Sequence, residues 1–167
     1  MRLLGLDPGL HVTGYGMVES RGATLRAVDA GVIRTDPRAS LVDRLSELYA
    51  GLREVLAEWR PGAIAVEDVF AHPGFPRTGI LIGHVCGVIS IAAAERRIPV
   101  QTFPPAAVKR ALVASGRGDK RQIQRMVRAL LVLDREPVSH VADALAVALV
   151  ALSRQGVPLA ASARSLA

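Results

Sequence analysis

Leu3-Leu4-Gly5-Leu6-Asp7-Pro8-Gly9, followed by Gly14, is the stretch from which the rest of the chain can be read. Leu3 to Leu6 is a short apolar run of strand character that carries one carboxylate, Asp7, to its C-terminal end. Pro8 and Gly9 predict a turn, because proline fixes φ and glycine tolerates φ > 0. A second strand, Gly14 to Glu19, is expected to pair antiparallel with the first. Asp7 then sits at the edge of a buried sheet, where a carboxylate is costly unless a cation satisfies it. Taken alone, Asp-Pro-Gly is equally well a plain turn.

The 167 residues suit one domain, half of them hydrophobic and 4% aromatic, so the core is aliphatic. The single cysteine, Cys86, excludes an intramolecular disulfide and fits a reducing compartment. Asp7 interrupts the apolar start, so no signal peptide is read and a cytoplasmic location is expected. The best apolar run, Val85 to Ala94, is too short to span a bilayer, so no membrane partner is expected. The formal charge of +6 favours an anionic partner such as nucleic acid.

Thr24 to Thr35 completes a three-stranded meander with the first two strands. Ser40 is placed to cap a helix that carries Leu41, Leu45, Leu48, Leu52, Leu56 and Trp59 on one face, and Arg60-Pro61-Gly62 ends it. Ala63 to Val66 is a buried strand ending in Glu67-Asp68. After a loop from Val69 to Arg77, Thr78 is placed to cap a helix to about Arg97 that is apolar on nearly every side. Such a helix is buried all round, and a second copy of the chain is expected to cover one side. Ile82 and Ile89 are the positions read as outward. Ile98 to Thr102 is a further strand. Pro104 and Pro105 open a helix, Ala106 to Ala114. Asp119 and Gln122 form a capping box for the next, and Ser139 is placed to cap the last, which runs to about Ser153. Residues 1–153 are read as one domain and 154–167 as a disordered tail. The order β-β-β-α-β-α-β-α-α-α predicts an α/β fold: a five-stranded mixed sheet flanked by helices.

Three acids end up at element termini: Asp7, Glu67 and Asp143. His140 stands three residues before Asp143, on the same side of one helix. Each has a plainer reading: Glu67 as a polar strand end, Asp143 as a complement to the helix dipole, His140 as a surface residue. Yet the last helix is otherwise nearly all apolar, and a carboxylate there needs a partner. Clustered carboxylates repel one another and characteristically hold hard divalent cations such as Mg²⁺ or Mn²⁺. Two such ions about 4 Å apart activate water and stabilise a leaving oxygen at a phosphodiester.

Gly5-Leu6-Asp7-Pro8-Gly9, Thr13-Gly14-Tyr15-Gly16, Val66-Glu67-Asp68-Val69-Phe70, Val108-Lys109 and Ala142-Asp143-Ala144-Leu145-Ala146 resemble the RuvC family of Holliday-junction resolvases, in one register from residue 2 to about 152. The resemblance implies an RNase H-like fold and a homodimer. It implies paired, symmetric, divalent-metal-dependent nicks in four-way junction DNA that leave 5′-phosphates and 3′-hydroxyls, during homologous recombination and repair. It also implies work beside the branch-migration proteins RuvA and RuvB. By match to the family's acidic quartet, Asp7, Glu67, His140 and Asp143 are the catalytic metal ligands, for two ions per subunit. His140 departs from the commoner Asp, which favours Mn²⁺ over Mg²⁺; its other role is proton transfer. Phe70 falls on the family's aromatic residue that stacks into the junction centre, and Phe75 is a second candidate for that role. Lys109 and Lys120 match basic residues near the scissile phosphate. Arg77, Arg110, Arg117 and Arg121 join them as DNA-binding candidates, and Arg125 extends the same face, whereas Arg128 is read as a solvated surface residue.

Other classes stay in view. An ATP-binding protein of the actin and sugar-kinase type also has Asp-x-Gly after a first strand, but needs a second similar domain that this length does not hold. A non-catalytic junction- or RNA-binding module has no use for the three acids. An RNase H-like nuclease acting on RNA is a close variant of the resolvase.

Overall fold

The computed structural model describes residues 1–68, 76–113 and 119–159. Within them the chain forms β1 (Arg2–Asp7), β2 (Val12–Arg21), β3 (Thr24–Arg34), α1 (Leu41–Trp59), β4 (Ala63–Glu67), α2 (Pro76–Glu95), β5 (Val100–Phe103), α3 (Pro105–Val113), α4 (Lys120–Leu131) and α5 (Ser139–Arg154). The sheet order is β3-β2-β1-β4-β5. β1 pairs antiparallel with β2 and parallel with β4, so the sheet is mixed, as the element order predicts.

The alternation of β1 divides the core. Leu3 faces a cluster built with Val108 and Leu112 of α3, Ile123 and Val127 of α4, and the whole inner length of α5. Leu4 and Leu6 face the opposite cluster, with Leu48, Leu52 and Leu56 of α1 and Val85 and Ile89 of α2. β1 and β4 are apolar on both sides because helices cover both faces.

α5 is the central helix: from Val141 to Leu152 every residue except Asp143 is buried. It lies almost in contact with the sheet backbone, and glycines permit this. A Cβ on Gly5 would stand 1.9 Å from the Ala144 carbonyl oxygen, and one on Gly14 would stand 2.1 Å from that of His140. Gly9 is needed for a similar reason. It does not adopt positive φ, contrary to the turn reading, but its Cβ would lie 2.4 Å from the Val12 oxygen.

Local capping follows the sequence at two helices. Ser40 accepts from the Asp43 amide at α1, and Asp119 with Gln122 forms the full capping box of α4. At α5 the N-cap is Val138, without a side-chain bond, and Ser139 is the first helical residue. α2 begins at Pro76 rather than after Thr78.

α2 also differs in its exposure. Val85, Ile89, Ala92 and Ala93 pack inward, whereas Ile80 and Ile91 are about three-fifths exposed, at 62% and 59%. Ile89 is therefore a core residue, and the outward stripe runs through Ile80, Gly83, Gly87 and Ile91. By length and composition the segment Arg77–Glu95 is long and apolar enough to cross a membrane, which the shorter run Val85 to Ala94 did not suggest. Its inner face is part of the core beside α1.

The expected tail does not begin at Arg154. That residue closes α5 with its guanidinium 4.9 Å from the Phe103 ring centre, and Val157 and Leu159 pack on the core. Residues 160–167 lie outside the described residues.

The glycine contacts set a prediction. Gly5→Ala should destabilise the protein at or above the roughly 1–3 kcal/mol typical of overpacking. Gly62→Ala, whose Cβ would have nothing nearer than 3.6 Å, should stay within about 0.5 kcal/mol. Urea unfolding of the two variants beside wild type decides it.

Candidate active site

The register of the sheet assembles the site. β1 and β4 are parallel neighbours, with Leu6 opposite Val66, so Asp7 and Glu67 leave the sheet at the same pole. Asp7 lies opposite Gly14 on β2, and the missing Gly14 side chain lets the first turn of α5 settle beside it. His140 and, one turn on, Asp143 are thereby brought to that pole. The Pro8–Gly9 turn is held by Thr13, which is buried and donates its hydroxyl to the Gly9 carbonyl at 2.7 Å.

The carboxylates feel one another. Burial pushes Glu67 up to about 7, with the charges of Asp7 and Asp143 adding to the rise and Lys109 and Lys120 opposing it. Asp143 is raised first by burial and then by Asp7. Asp7 is also raised, by burial that outweighs its hydrogen bond from His140. That bond, from Nδ1 of His140 to Oδ2 of Asp7, is 2.7 Å. With Nδ1 engaged by the carboxylate, Nε2 is the ring nitrogen left for another partner. His140 itself is half exposed.

The arrangement is a pair and two neighbours rather than a closed cage. Among the described residues, no three His, Cys, Asp or Glu side chains are gathered tightly enough to enclose an ion as they stand. The donor set nevertheless fits a hard divalent cation, since three half-buried acids meet at one pole and the charge of Asp7 opposes the ionisation of both Glu67 and Asp143.

Lys109, in α3, and Lys120, the first residue of α4, project their charge onto this pole, as their effect on Glu67 and Asp143 shows. Arg77, Arg110 and Arg121 are exposed on α2, α3 and α4. Arg110 and Arg125 flank a groove of about 680 Å³ between α3 and α4. Arg128 is not merely solvated: its guanidinium donates to the Leu133 and Asp134 carbonyls, tying down the chain after α4. Phe70, Phe75 and Arg117 lie outside the described residues.

Two features escaped the sequence reading. One is the Asp7–His140 bond. The other is Arg44, whose Nε donates to Thr35 Oγ1 at 3.0 Å while that hydroxyl donates to the Leu10 carbonyl at 2.6 Å. A cation in the first turn of a helix opposes the dipole, and that was the available signal for a residue held there by something else.

The raised acids set a sign for stability. A glutamate in the unfolded chain takes up its proton near 4.5, and folded Glu67 does so near 7. Between those values the folded state holds more protons, so stability falls as pH rises through that window. In chelator, the melting temperature should drop from the acid to the neutral end of it. Glu67→Gln should flatten the drop, and added Mn²⁺ should raise the neutral value in wild type. An unchanged slope in Glu67→Gln would remove the electrostatic account.

Comparison with known proteins agrees with this geometry. The family model described as crossover junction endodeoxyribonuclease RuvC matches residues 3–151. A crossover junction endodeoxyribonuclease RuvC of Halorhodospira halophila is 42% identical over 161 residues, covering 96% of this chain and 95% of the relative. Among solved structures, T. thermophilus RuvC in complex with a Holliday junction substrate superposes with a TM-score of 0.86 at 35% identity, covering 94% of this chain and 97% of that one. The yeast mitochondrial resolvase Ydc2, at 13% identity and a TM-score of 0.58 with 87% of this chain and 76% of that one covered, shares the fold. A mixed five-stranded sheet of RNase H-like order, three acids at one pole and a match along nearly the whole chain lead to one conclusion: this chain belongs to the RuvC family of crossover junction endodeoxyribonucleases.

Proposed function

We propose that this protein resolves four-way DNA junctions by two symmetric nicks, each leaving a 5′-phosphate and a 3′-hydroxyl, in homologous recombination and repair. The observation that carries the reading is the gathering of Asp7, Glu67 and Asp143 at one pole under the field of Lys109 and Lys120. Nucleases of this family depend on divalent metal. Asp7, Glu67 and Asp143 are the residues that would hold Mg²⁺ or Mn²⁺, two ions per subunit, with Nε2 of His140 as a nitrogen donor. Bound there, the ions supply Lewis acidity at the phosphodiester and a more acidic attacking water. An imidazole in place of the commoner carboxylate removes one negative charge and adds a softer donor, which favours Mn²⁺.

The chain's own groups do the rest. Asp7 orients the His140 ring through Nδ1, leaving Nε2 to bind the ion or to accept the proton of the attacking water. Lys109 and Lys120 offset the charge that builds on the phosphate. Arg77, Arg110, Arg117 and Arg121 hold the backbones of the arms, and Phe70 or Phe75 stacks at the crossover.

Two symmetric cuts need two symmetric sites, and the outward stripe of α2 is the surface on which we place the homodimer. Ile80 and Ile91 supply its apolar contacts, and Gly83 and Gly87, with nothing within 4 Å of a Cβ, leave room for close approach. The dimer acts in the cytoplasm with RuvA and RuvB.

The deciding assay compares a labelled four-way junction, its linear duplex and an RNA–DNA hybrid in Mg²⁺, Mn²⁺ or EDTA. Metal-dependent paired nicks confined to the junction, faster in Mn²⁺ and absent from Asp7→Asn, are the expected result. His140→Ala should lose roughly a hundredfold or more in rate. Cutting of the hybrid alone would redirect the site to RNA. Ile91→Glu should sediment as a monomer and lose the pairing of nicks; a persistent dimer would move the interface off α2.

A further inference from the structure

A small cavity of about 380 Å³ adjoins the acidic pole, lined by Leu10, His11, Arg44, Thr78, Leu81 and His140 among others. Its walls are mainly aliphatic, and its size falls within the roughly 300–1,000 Å³ of small-ligand pockets. It is bounded by the β1–β2 turn, the first turns of α1 and α2, and the start of α5. His140 links it to the chemistry, since the same ring is bonded to Asp7.

Arg44 is, with His11, Thr78 and His140, one of the polar groups lining this cavity, and it is the one with a charge fixed by a bonded neighbour. It is half-buried, its Nε is fixed by Thr35, and that hydroxyl is fixed in turn by the Leu10 carbonyl. Among the described residues it has no carboxylate within ion-pair distance. Its two terminal nitrogens are thus held in a set direction, the preorganised fork that suits a planar acceptor edge. A phosphate would gain from the fork but lose by entering aliphatic walls. A nucleobase has apolar faces for Leu10 and Leu81 and a polar edge for Arg44, and guanine offers two acceptors, O6 and N7, to one guanidinium.

We propose that this cavity holds one unstacked base of the strand being cut and that Arg44 reads its acceptor edge, so that the pocket sets which base is favoured beside the scissile phosphate. The inference rests on the junction-cutting function proposed above. A base enters only after leaving its pair, and the crossover point of a junction is where leaving costs least. Arg44 is here a specificity-determining residue that touches the substrate but not the reacting atoms.

The test uses full-length protein and a set of four-way junctions in which each nucleotide flanking the crossover is varied through all four bases. The readout is the ratio of cutting rates between bases at one position. Wild type should favour guanine at one such position by roughly tenfold or more. Arg44→Lys, which keeps the charge and loses the fork, should bring that ratio close to one. Thr78→Trp, which narrows the cavity without touching the Arg44–Thr35 bond, should do the same. In EDTA, 2-aminopurine at that position should brighten on binding wild type and not on binding Thr78→Trp. Equal cutting of all four bases, or a ratio unchanged in both variants, would overturn the proposal. So would a loss of affinity in Arg44→Lys that is the same for every sequence, which would make Arg44 a phosphate contact. If wild type cut no junction, the failure would lie with the proposed function, and 2-aminopurine placed in turn at each flanking position would still decide the pocket: no position that brightens in wild type and stays dark in Thr78→Trp would overturn it.

Discussion

The close approach of α5 to β1 and β2 is the constraint from which the rest of the structure follows. A helix normally stands off a sheet by the thickness of its side chains. Here Gly5, Gly14 and Gly16 remove the side chains from the sheet, and Ala144 and Ala148 keep those of the helix small. The helix axis drops toward the strands, and its first turn arrives at the end of β1. That is why His140, whose backbone would strike any Cβ at Gly14, stands within hydrogen-bond distance of Asp7. A helix one methyl group further out would carry His140 and Asp143 away from the strand carboxylates.

The same packing explains the energetics of the site. α5 is buried along nearly its whole length, so Asp143 is an acid in an aliphatic helix, and burial raises its pKa ahead of the charge on Asp7. Glu67 has the same problem on the next strand. Each acid is costly alone, and gathering them adds repulsion to desolvation. The two lysines and the histidine offset part of this cost, and a divalent cation held as proposed would offset the remainder. The site is therefore a place where stability is given up locally for chemistry, and the dense core around α5 holds it in shape.

α2 shows the opposite situation, a surface that the single chain leaves incomplete. Its inner residues are as buried as any in the core, yet Ile80 and Ile91 stand exposed on the other side. Small residues between them make a shallow face suited to another helix. The N-terminal end of the same helix forms a wall of the cavity beside His140. In the proposed reading, subunit pairing and recognition of the strand next to the cut share one element, which would couple where the partner sits to what each site can reach.

Much was legible in the residues alone. The order of elements, the Ser40 and Asp119 caps, the acids at the ends of two strands and the His140–Asp143 spacing depend on groups within a few positions of one another. Local sterics and hydrogen bonding decide such features. What tertiary structure decided depends on groups far apart in the chain. The sheet order set β1 beside β4 and so Asp7 beside Glu67. The Asp7–His140 bond joins residues 133 positions apart. Val138 rather than Ser139 caps α5, at the point where its first turn rests against Gly14. The outward face of α2 was misassigned at Ile89 because a helix apolar all round carries no mark of its own orientation; only its packing beside α1 sets which side is left to solvent. At Arg44 the sequence offers only a cation in a helix's first turn; what holds it there, Thr35 and Leu10, the fold brings to it.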